Sequence, residues 1–208
     1  MNTTAPAYKS RAYIRGMAIG TFWLLAAGAG SAEWAMVAVK SNLVALIAVS
    51  VIAVILLALN LRQIIAALKL PADPPSARRR IAGKFALIVV LEILAIALIN
   101  VACYLTGHRS WVVPLDLIVV GIHFIPLAIL FGVPRYTILG LLFCAASVLT
   151  LLLVPAHARI GKFMARDIYP AFGCVAATWL ISVGNLLELR RRIDASKVVS
   201  AKEQPARV

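Results

Sequence analysis

The chain has 208 residues, of which 62% are hydrophobic and 14% are charged, and its mean hydropathy is +0.95. This composition excludes a soluble globular protein, because the polar residues are too few to cover its surface. The formal charge of +13 would suit a nucleic-acid binder, but the basic residues flank apolar runs. Anionic lipid headgroups are therefore the expected partner, and nucleic acid is not.

Six apolar runs, taken in chain order, each predict a helix that crosses a membrane. At about 1.5 Å per residue, each run can span a hydrocarbon layer about 30 Å thick, in some cases with local thinning of the bilayer. The runs cover residues 17–39, 43–61, 85–105, 115–131, 137–154 and 171–189. The sequence predicts an all-α, polytopic membrane helix bundle with six transmembrane helices in one domain, residues 1–192, followed by a disordered cytoplasmic tail, residues 193–208.

The basic residues between the runs predict the direction of the bundle. If the N-terminus is cytoplasmic, sixteen of the 21 Lys and Arg residues fall on the inner side. This bias predicts that both termini are in the cytoplasm. The inner segment between the second and third runs holds four residues that are expected to bind phosphate headgroups, Arg78, Arg79, Arg80 and Lys84.

The first run also permits a second interpretation. Lys9, Arg11 and Arg15 precede apolar residues that end in two stretches of small residues, 27–29 and 30–32, which resemble signal-peptidase sites. Cleavage there would leave five spans and an external N-terminus. The apolar pattern continues through residue 39, however, which favours a retained span.

The connection after the fifth run predicts one further element. Residues 159–168 place four apolar side chains at helical spacing, Ile160, Phe163, Met164 and Ile168. Arg159, Lys162 and Arg166 lie elsewhere on the same segment. The pattern predicts a short helix that lies in the membrane interface.

Polar residues inside the apolar runs are candidates for function, because an ionisable group inside a membrane is costly. The candidates for a polar cavity or a proton path are Glu33, Glu92, Asn100, Asp116 and His123. The inferred direction places Glu92 in an inner layer, with Asn60, Asn185 and Glu188, and the other four candidates in an outer layer. The alternative is that the charged groups lie at helix ends and that the Asn residues only join helices.

The fourth run combines Asp116, His123 and Pro126. Asp116 and His123 share a helix face but lie about 10 Å apart along the axis, so no direct hydrogen bond is expected. Pro126 leaves the Ile122 carbonyl without its helical donor and is predicted to kink the helix beside His123. These features predict a binding or proton-relay point, and the alternative is a neutral His123 that donates one hydrogen bond to a neighbouring helix.

A short motif in the same run carries a resemblance. The string Gly121-Ile-His-Phe-Ile-Pro-Leu-Ala-Ile-Leu-Phe131 is followed by Pro134, Tyr136 and Gly140. It resembles a family of small bacterial multi-pass membrane proteins with a G-x-H-F-x-P-L-A-x-x-F motif. The resemblance implies a bacterial inner-membrane location and singles out His123 and Pro126, but it implies no activity.

The sequence offers no pattern typical of an enzyme. It shows no Ser/His/Asp set or phosphate-binding glycine loop, and its three cysteines lie singly in apolar runs, so neither catalysis nor a metal or cofactor is expected. Inert thiols are expected, with a disulfide between Cys103 and Cys174 as the alternative.

Two hypotheses for function remain. The favoured one is a non-catalytic membrane component that binds lipid or a protein partner, including a second copy of itself. The alternative is a small proton-linked or small-solute transporter that uses the polar residues of the third and fourth runs. The two hypotheses differ in whether His123, Glu92 and Asn100 converge on one cavity.

Overall fold

The computed structural model of the chain describes residues 5–38, 43–69 and 75–203. Within these residues the chain forms six α-helices, a 3-10 turn and a two-stranded hairpin. In chain order the elements are α1 Ala5–Ala38, α2 Leu43–Leu68, α3 Pro75–Leu105, the 3-10 turn Arg109–Trp111, α4 Val112–Phe131, α5 Pro134–Leu153, β1 Arg159–Ile160, β2 Phe163–Met164 and α6 Ala165–Glu203. The expected all-α bundle is confirmed.

The ends of the predicted elements differ from the structure in places. The tail expected from residue 193 continues α6 as far as Glu203. The last residues of that tail, 204–208, and the side chain of Arg78 lie outside the described part of the structure. The three cysteines, Cys103, Cys144 and Cys174, are free thiols, so the alternative of a disulfide between Cys103 and Cys174 is wrong.

The connection between α4 and α5 shows how local sequence ends one helix and begins the next. Gly132 adopts a φ of 69°, a left-handed conformation that glycine takes without strain at the end of a helix. The Val133 amide then donates to the Ala128 carbonyl over 2.9 Å. Pro134 occupies the first turn of α5, where its missing N–H costs nothing. The chain therefore turns back at once, and α5 packs against α4.

The helices pack in an order that differs from their order in the chain. α1 packs against α2 and α6, α6 packs against α5, α5 against α4, and α4 against α3. α1 and α2 are antiparallel, because Arg15 reaches the Ala67 carbonyl at one end and Glu33 accepts from Ser50 at the other. The end that holds Arg15 and Ala67 is called the basic end below. The end that holds the 3-10 turn and the hairpin is called the opposite end.

Five segments among the described residues are long and apolar enough to cross a membrane. They are Leu43–Leu68, Arg79–Leu105, Arg109–Phe131, Pro134–Leu153 and Ala165–Asp194. α1 is not among these five, and it carries many Gly, Ala and Ser residues in place of Leu, Ile and Val. Its position between α2 and α6 explains that composition, since protein covers much of α1 and small residues allow helices to approach closely.

α4 and α5 approach each other closely in the apolar core. A Cβ atom built on Gly140 would overlap the Gly121 carbonyl oxygen, and one built on Gly121 would lie 2.7 Å from the Gly140 carbonyl oxygen. Beside this crossing, the Phe124 ring lies 6.1 Å from the Tyr136 ring and 5.8 Å from the Phe143 ring. Glycine at both positions therefore lets the two backbones meet and the aromatic rings pack next to them.

α3 is attached to the bundle along one side. It packs against α4 and the 3-10 turn, and none of its most apolar 18-residue window is buried (0%). At the basic end, the Phe85 ring lies 6.0 Å from the Phe131 ring, which in turn lies against Gly16 of α1. Much of the remaining surface of α3 is apolar and exposed, and it includes Leu87, Val90, Leu91, Ile93, Leu94, Leu98, Val101 and Tyr104.

The interfacial helix predicted over residues 159–168 is wrong, because this segment begins with a hairpin. β1 and β2 are antiparallel, with Ile160 paired to Phe163. Gly161 adopts a φ of 62°, which breaks a helix and favours a tight turn. The helical spacing of the apolar residues is coincidental, since backbone conformation at one glycine decides the local structure.

Candidate functional site

The first polar contact between helices joins α3 to α4 at Glu92 and His123. Glu92 Oε1 lies 3.2 Å from His123 Nδ1, and the two side chains are 16% and 14% exposed. His123 Nδ1 also lies 2.6 Å from the Val120 carbonyl oxygen, so this nitrogen carries the proton and donates it. The imidazole is therefore held between its own helix and α3.

The second contact lies further toward the opposite end of the same two helices. Asn100 Nδ2 lies 3.0 Å from each carboxylate oxygen of Asp116 and donates to them. The same nitrogen lies 2.8 Å from the Ile96 carbonyl oxygen. Asn100 and Asp116 are both partly buried. This contact is about 12 Å from the first along α3, so the structure arranges the four candidates as two separate pairs.

The structure corrects the predicted division into two layers. Glu92 was expected in the inner layer and His123 in the outer layer, yet the two side chains lie at one level. The apolar segment of α3 covers Arg79–Leu105, and Glu92 stands at its middle. His123 stands close to the middle of the segment Arg109–Phe131. The apolar segment of α3 begins at Arg79, earlier than the predicted run 85–105, which moves Glu92 from the first half of the run to the middle of the segment.

The remaining predicted residues lie apart from these two pairs. Glu33 belongs to the contact between α1 and α2, where Ser50 Oγ donates to its carboxylate over 3.0 Å. α4 continues as a helix through Pro126, whose ring is exposed. Arg79, Arg80 and Lys84 are exposed near the start of α3, at the basic end.

A larger group of polar side chains lies where α1, α2 and α6 meet, and we call it the buried polar cluster. Its members are Thr21, Asn60, Gln63, Ser182 and Asn185. Asn185 Nδ2 donates to Thr21 Oγ1 over 3.2 Å, and Gln63 Nε2 donates to the Leu186 carbonyl over 3.0 Å. All members except the partly buried Gln63 are 0% exposed. Three helices are therefore joined through polar groups inside the bundle.

The register of the helices places Asn60 within this cluster. From the contact between Arg15 and Ala67, Thr21 is about 9 Å along α1 and Asn60 is about 10 Å along α2, so the two residues are level. Asn60 also lies one turn before Gln63, on the same face of α2. That face reaches α6 at Leu186.

Two groups on α5 border the cluster from another side. Arg135 Nη1 donates to the Gly184 carbonyl over 2.8 Å, beside Asn185. The Tyr136 hydroxyl lies against Gly20, beside Thr21. The cluster is therefore bordered by a guanidinium and a phenol at the start of α5.

Sequence reasoning noted Asn60 and Asn185 but missed Thr21, Gln63 and Ser182. One signal was available in α2, whose buried residues are Ala53, Asn60 and Ala67. Their seven-residue spacing marks the packing face of an otherwise Leu- and Ile-rich helix. An amide between two small residues on that face indicates a contact with another helix.

The architecture is that of an integral membrane protein, with five helices of sufficient length and apolar character. Among the described residues, no group of three or more His, Cys, Asp or Glu side chains could hold a metal ion. No protein-family model, curated protein or solved structure matches this chain.

Proposed function

We propose that this chain is a six-span protein of the bacterial inner membrane, with both termini cytoplasmic, that binds anionic lipid at its basic end and catalyses no reaction. The contacts that α1 makes with α2 through Arg15 and Glu33 support the count of six spans. These two residues lie about 27 Å apart along the helix, close to the thickness of a hydrocarbon layer. The excess of basic residues at this end supports its cytoplasmic placement.

The observation that carries the lipid proposal is an exposed basic surface where α2 ends and α3 begins. Its described members are Arg62, Lys69, Arg79, Arg80 and Lys84, all of them exposed. Basic residues close to an anionic bilayer contribute about 1 kcal/mol each to attraction. The apolar faces of α2 and α3 begin directly beside these cations. Lipid headgroups would therefore contact the cations, and acyl chains would contact the apolar faces of α2 and α3.

A shallow surface depression between α1 and α2 joins one cation to apolar side chains. It is lined by Arg15, Ala18, Ile19, Ile64, Ala67 and Leu68. Arg15 is the charged residue of this lining, and the other five residues are apolar. A phosphate beside the guanidinium would leave an acyl chain against Ile19 and Ile64.

The polar pairs between α3 and α4 support a binding role more than a transport role. Transport required His123, Glu92 and Asn100 to share a cavity, whereas Asn100 pairs with Asp116 at a different level. Each pair has the geometry of a contact that joins helices. A partner helix or a second copy of the chain could cover the apolar face of α3, but neither would need cations clustered at headgroup depth.

The experiment is native mass spectrometry of the protein extracted from vesicles that contain phosphatidylglycerol and phosphatidylcholine. The test variant combines Arg79→Gln, Arg80→Gln and Lys84→Gln. We expect it to lose most of the retained phosphatidylglycerol, because three contributions of about 1 kcal/mol are removed. The matched control combines Arg109→Gln, Arg159→Gln and Lys162→Gln, which removes three exposed cations from the opposite end.

The proposal requires the control to retain the anionic lipid as the wild-type protein does. Equal retention by the test variant and the wild type would refute it. A stable protein partner that co-purifies and displaces the bound lipid would also refute it, in favour of protein binding.

A further inference from the structure

The buried polar cluster contains more hydrogen-bonding atoms than the described protein groups satisfy. Both polar atoms of the Asn60 side chain, Gln63 Oε1, Ser182 Oγ and Asn185 Oδ1 are buried and have no partner among the described residues. Asn60, Ser182 and Asn185 are 0% exposed, so water outside the bundle does not reach them. Five polar atoms in one region thus lack a visible partner.

Such a concentration of unsatisfied atoms indicates a bound species. A buried polar atom without a partner has lost its hydration and gained nothing in return, and native proteins pair nearly all such atoms. Internal water is the usual partner, because one molecule donates and accepts at once and satisfies about two to four groups.

We propose that the buried polar cluster is a binding site for internal water, which bridges Asn60 of α2 to Ser182 and Asn185 of α6. Water can donate to the side-chain carbonyls of Asn60, Gln63 and Asn185, and it can accept from Asn60 Nδ2. The Ser182 hydroxyl can do either. This site lies inside the bundle and is independent of the lipid surface at the basic end.

The chemistry of the surroundings favours water over a cation. The members of the cluster are all neutral, and a positive charge lies at its border, the Arg135 guanidinium bonded to the Gly184 carbonyl over 2.8 Å. A bound cation would meet repulsion from that group, with no carboxylate in the cluster to offset it. A neutral ligand that both donates and accepts meets no such penalty.

X-ray radiolytic labelling in lipid nanodiscs, read by mass spectrometry, tests the site. Hydroxyl radicals form from water where it is bound and modify the side chains beside it. Two reporters are shielded from outside water: Met17, which is 0% exposed and one turn from Thr21, and Tyr136, which is 2% exposed and lies against Gly20. We expect both to be modified in the wild-type protein.

The Asn60→Leu variant should lose the labelling of Met17 and Tyr136, because the leucine removes the donor and the acceptor that hold the water. Ser182→Ala is a smaller change and should reduce labelling at the same two residues. It replaces the leucine variant as the test if that variant does not fold. Asn100→Leu is the matched control, because Asn100 pairs with Asp116 away from the cluster, and labelling should stay at the wild-type level.

Either of two results would overturn the proposal. One is the absence of modification at both Met17 and Tyr136 in the folded wild-type protein. The other is wild-type labelling in a folded Asn60→Leu or Ser182→Ala variant, which would show that the reporters are reached by another route.

Discussion

Several polar residues in this protein act in pairs that cross from one helix to another. Glu92 contacts His123, Asn100 contacts Asp116, and Thr21 contacts Asn185. Each member would be costly in the apolar interior if it stood alone, and pairing offsets part of that cost. The contribution of such a residue to stability therefore depends on its partner, and the packing of the helices determines which partner it has.

The pair of Glu92 and His123 predicts a coupling that can be measured. In a double-mutant cycle with Glu92→Leu and His123→Leu, we expect a coupling free energy of about 1 kcal/mol, within the range of polar contacts between membrane helices. The measurement is the free energy of unfolding in mixed micelles. The control cycle uses Glu92→Leu and Asn100→Leu, which lie about 12 Å apart on α3 and should be additive. Additivity in the first cycle would contradict the contact.

At the scale of helices, close packing depends on where small residues meet a neighbouring backbone. Gly121 and Gly140 bring α4 and α5 together, whereas Gly83 of α3 has no atom within 4 Å of the position that a Cβ would take. Both Gly140 and Gly83 lie in helix interiors. The same substitution should therefore have opposite effects at the two positions.

Gly140→Ala should lower the free energy of unfolding by about 1–3 kcal/mol, because the new methyl group collides with the Gly121 carbonyl and must separate the helices. Gly83→Ala is the matched control and should raise it by up to about 1 kcal/mol through helix propensity. Thermal or denaturant unfolding in detergent measures both. A Gly140→Ala variant as stable as the wild type would contradict the described crossing.

At the scale of the whole molecule, the two ends of the bundle differ in charge and in structure. The basic end carries exposed cations, among them Arg79, Arg80 and Lys84. The opposite end carries the hairpin and the buried Arg166, which donates to the carbonyls of Val154 and Leu151 near the end of α5. Arg166 therefore stabilises the fold locally and is not available to headgroups.

The charge difference predicts the orientation in the membrane. In a variant without the native cysteines, Lys162→Cys should react with an impermeant maleimide added outside intact cells, because it is exposed at the opposite end. Arg190→Cys, exposed near the other end of α6, should react only after the cells are opened. The reverse pattern would contradict cytoplasmic termini.

Sequence pattern accounts for much of the fold and for part of the candidate site. The apolar runs predict the helices, because hydropathy and length are properties of continuous segments. The hairpin was mispredicted because the conformation of Gly161 outweighed the spacing of its neighbours. The sequence predicts that Asp116 and His123 do not pair with each other, and the structure agrees. Their partners on α3, Asn100 and Glu92, depend on the register between the two helices. Thr21, Gln63 and Ser182 are ordinary residues in a sequence and become notable only through their burial.

The sequence by itself determined that this is a helical membrane protein with basic and less basic ends, because both properties follow from composition along the chain. Tertiary structure decided which polar residues meet. It paired Glu92 with His123, left α3 attached along one side, and gathered the buried polar cluster from three helices. These contacts join residues far apart in the chain, and only the relative position and rotation of packed helices brings such residues together.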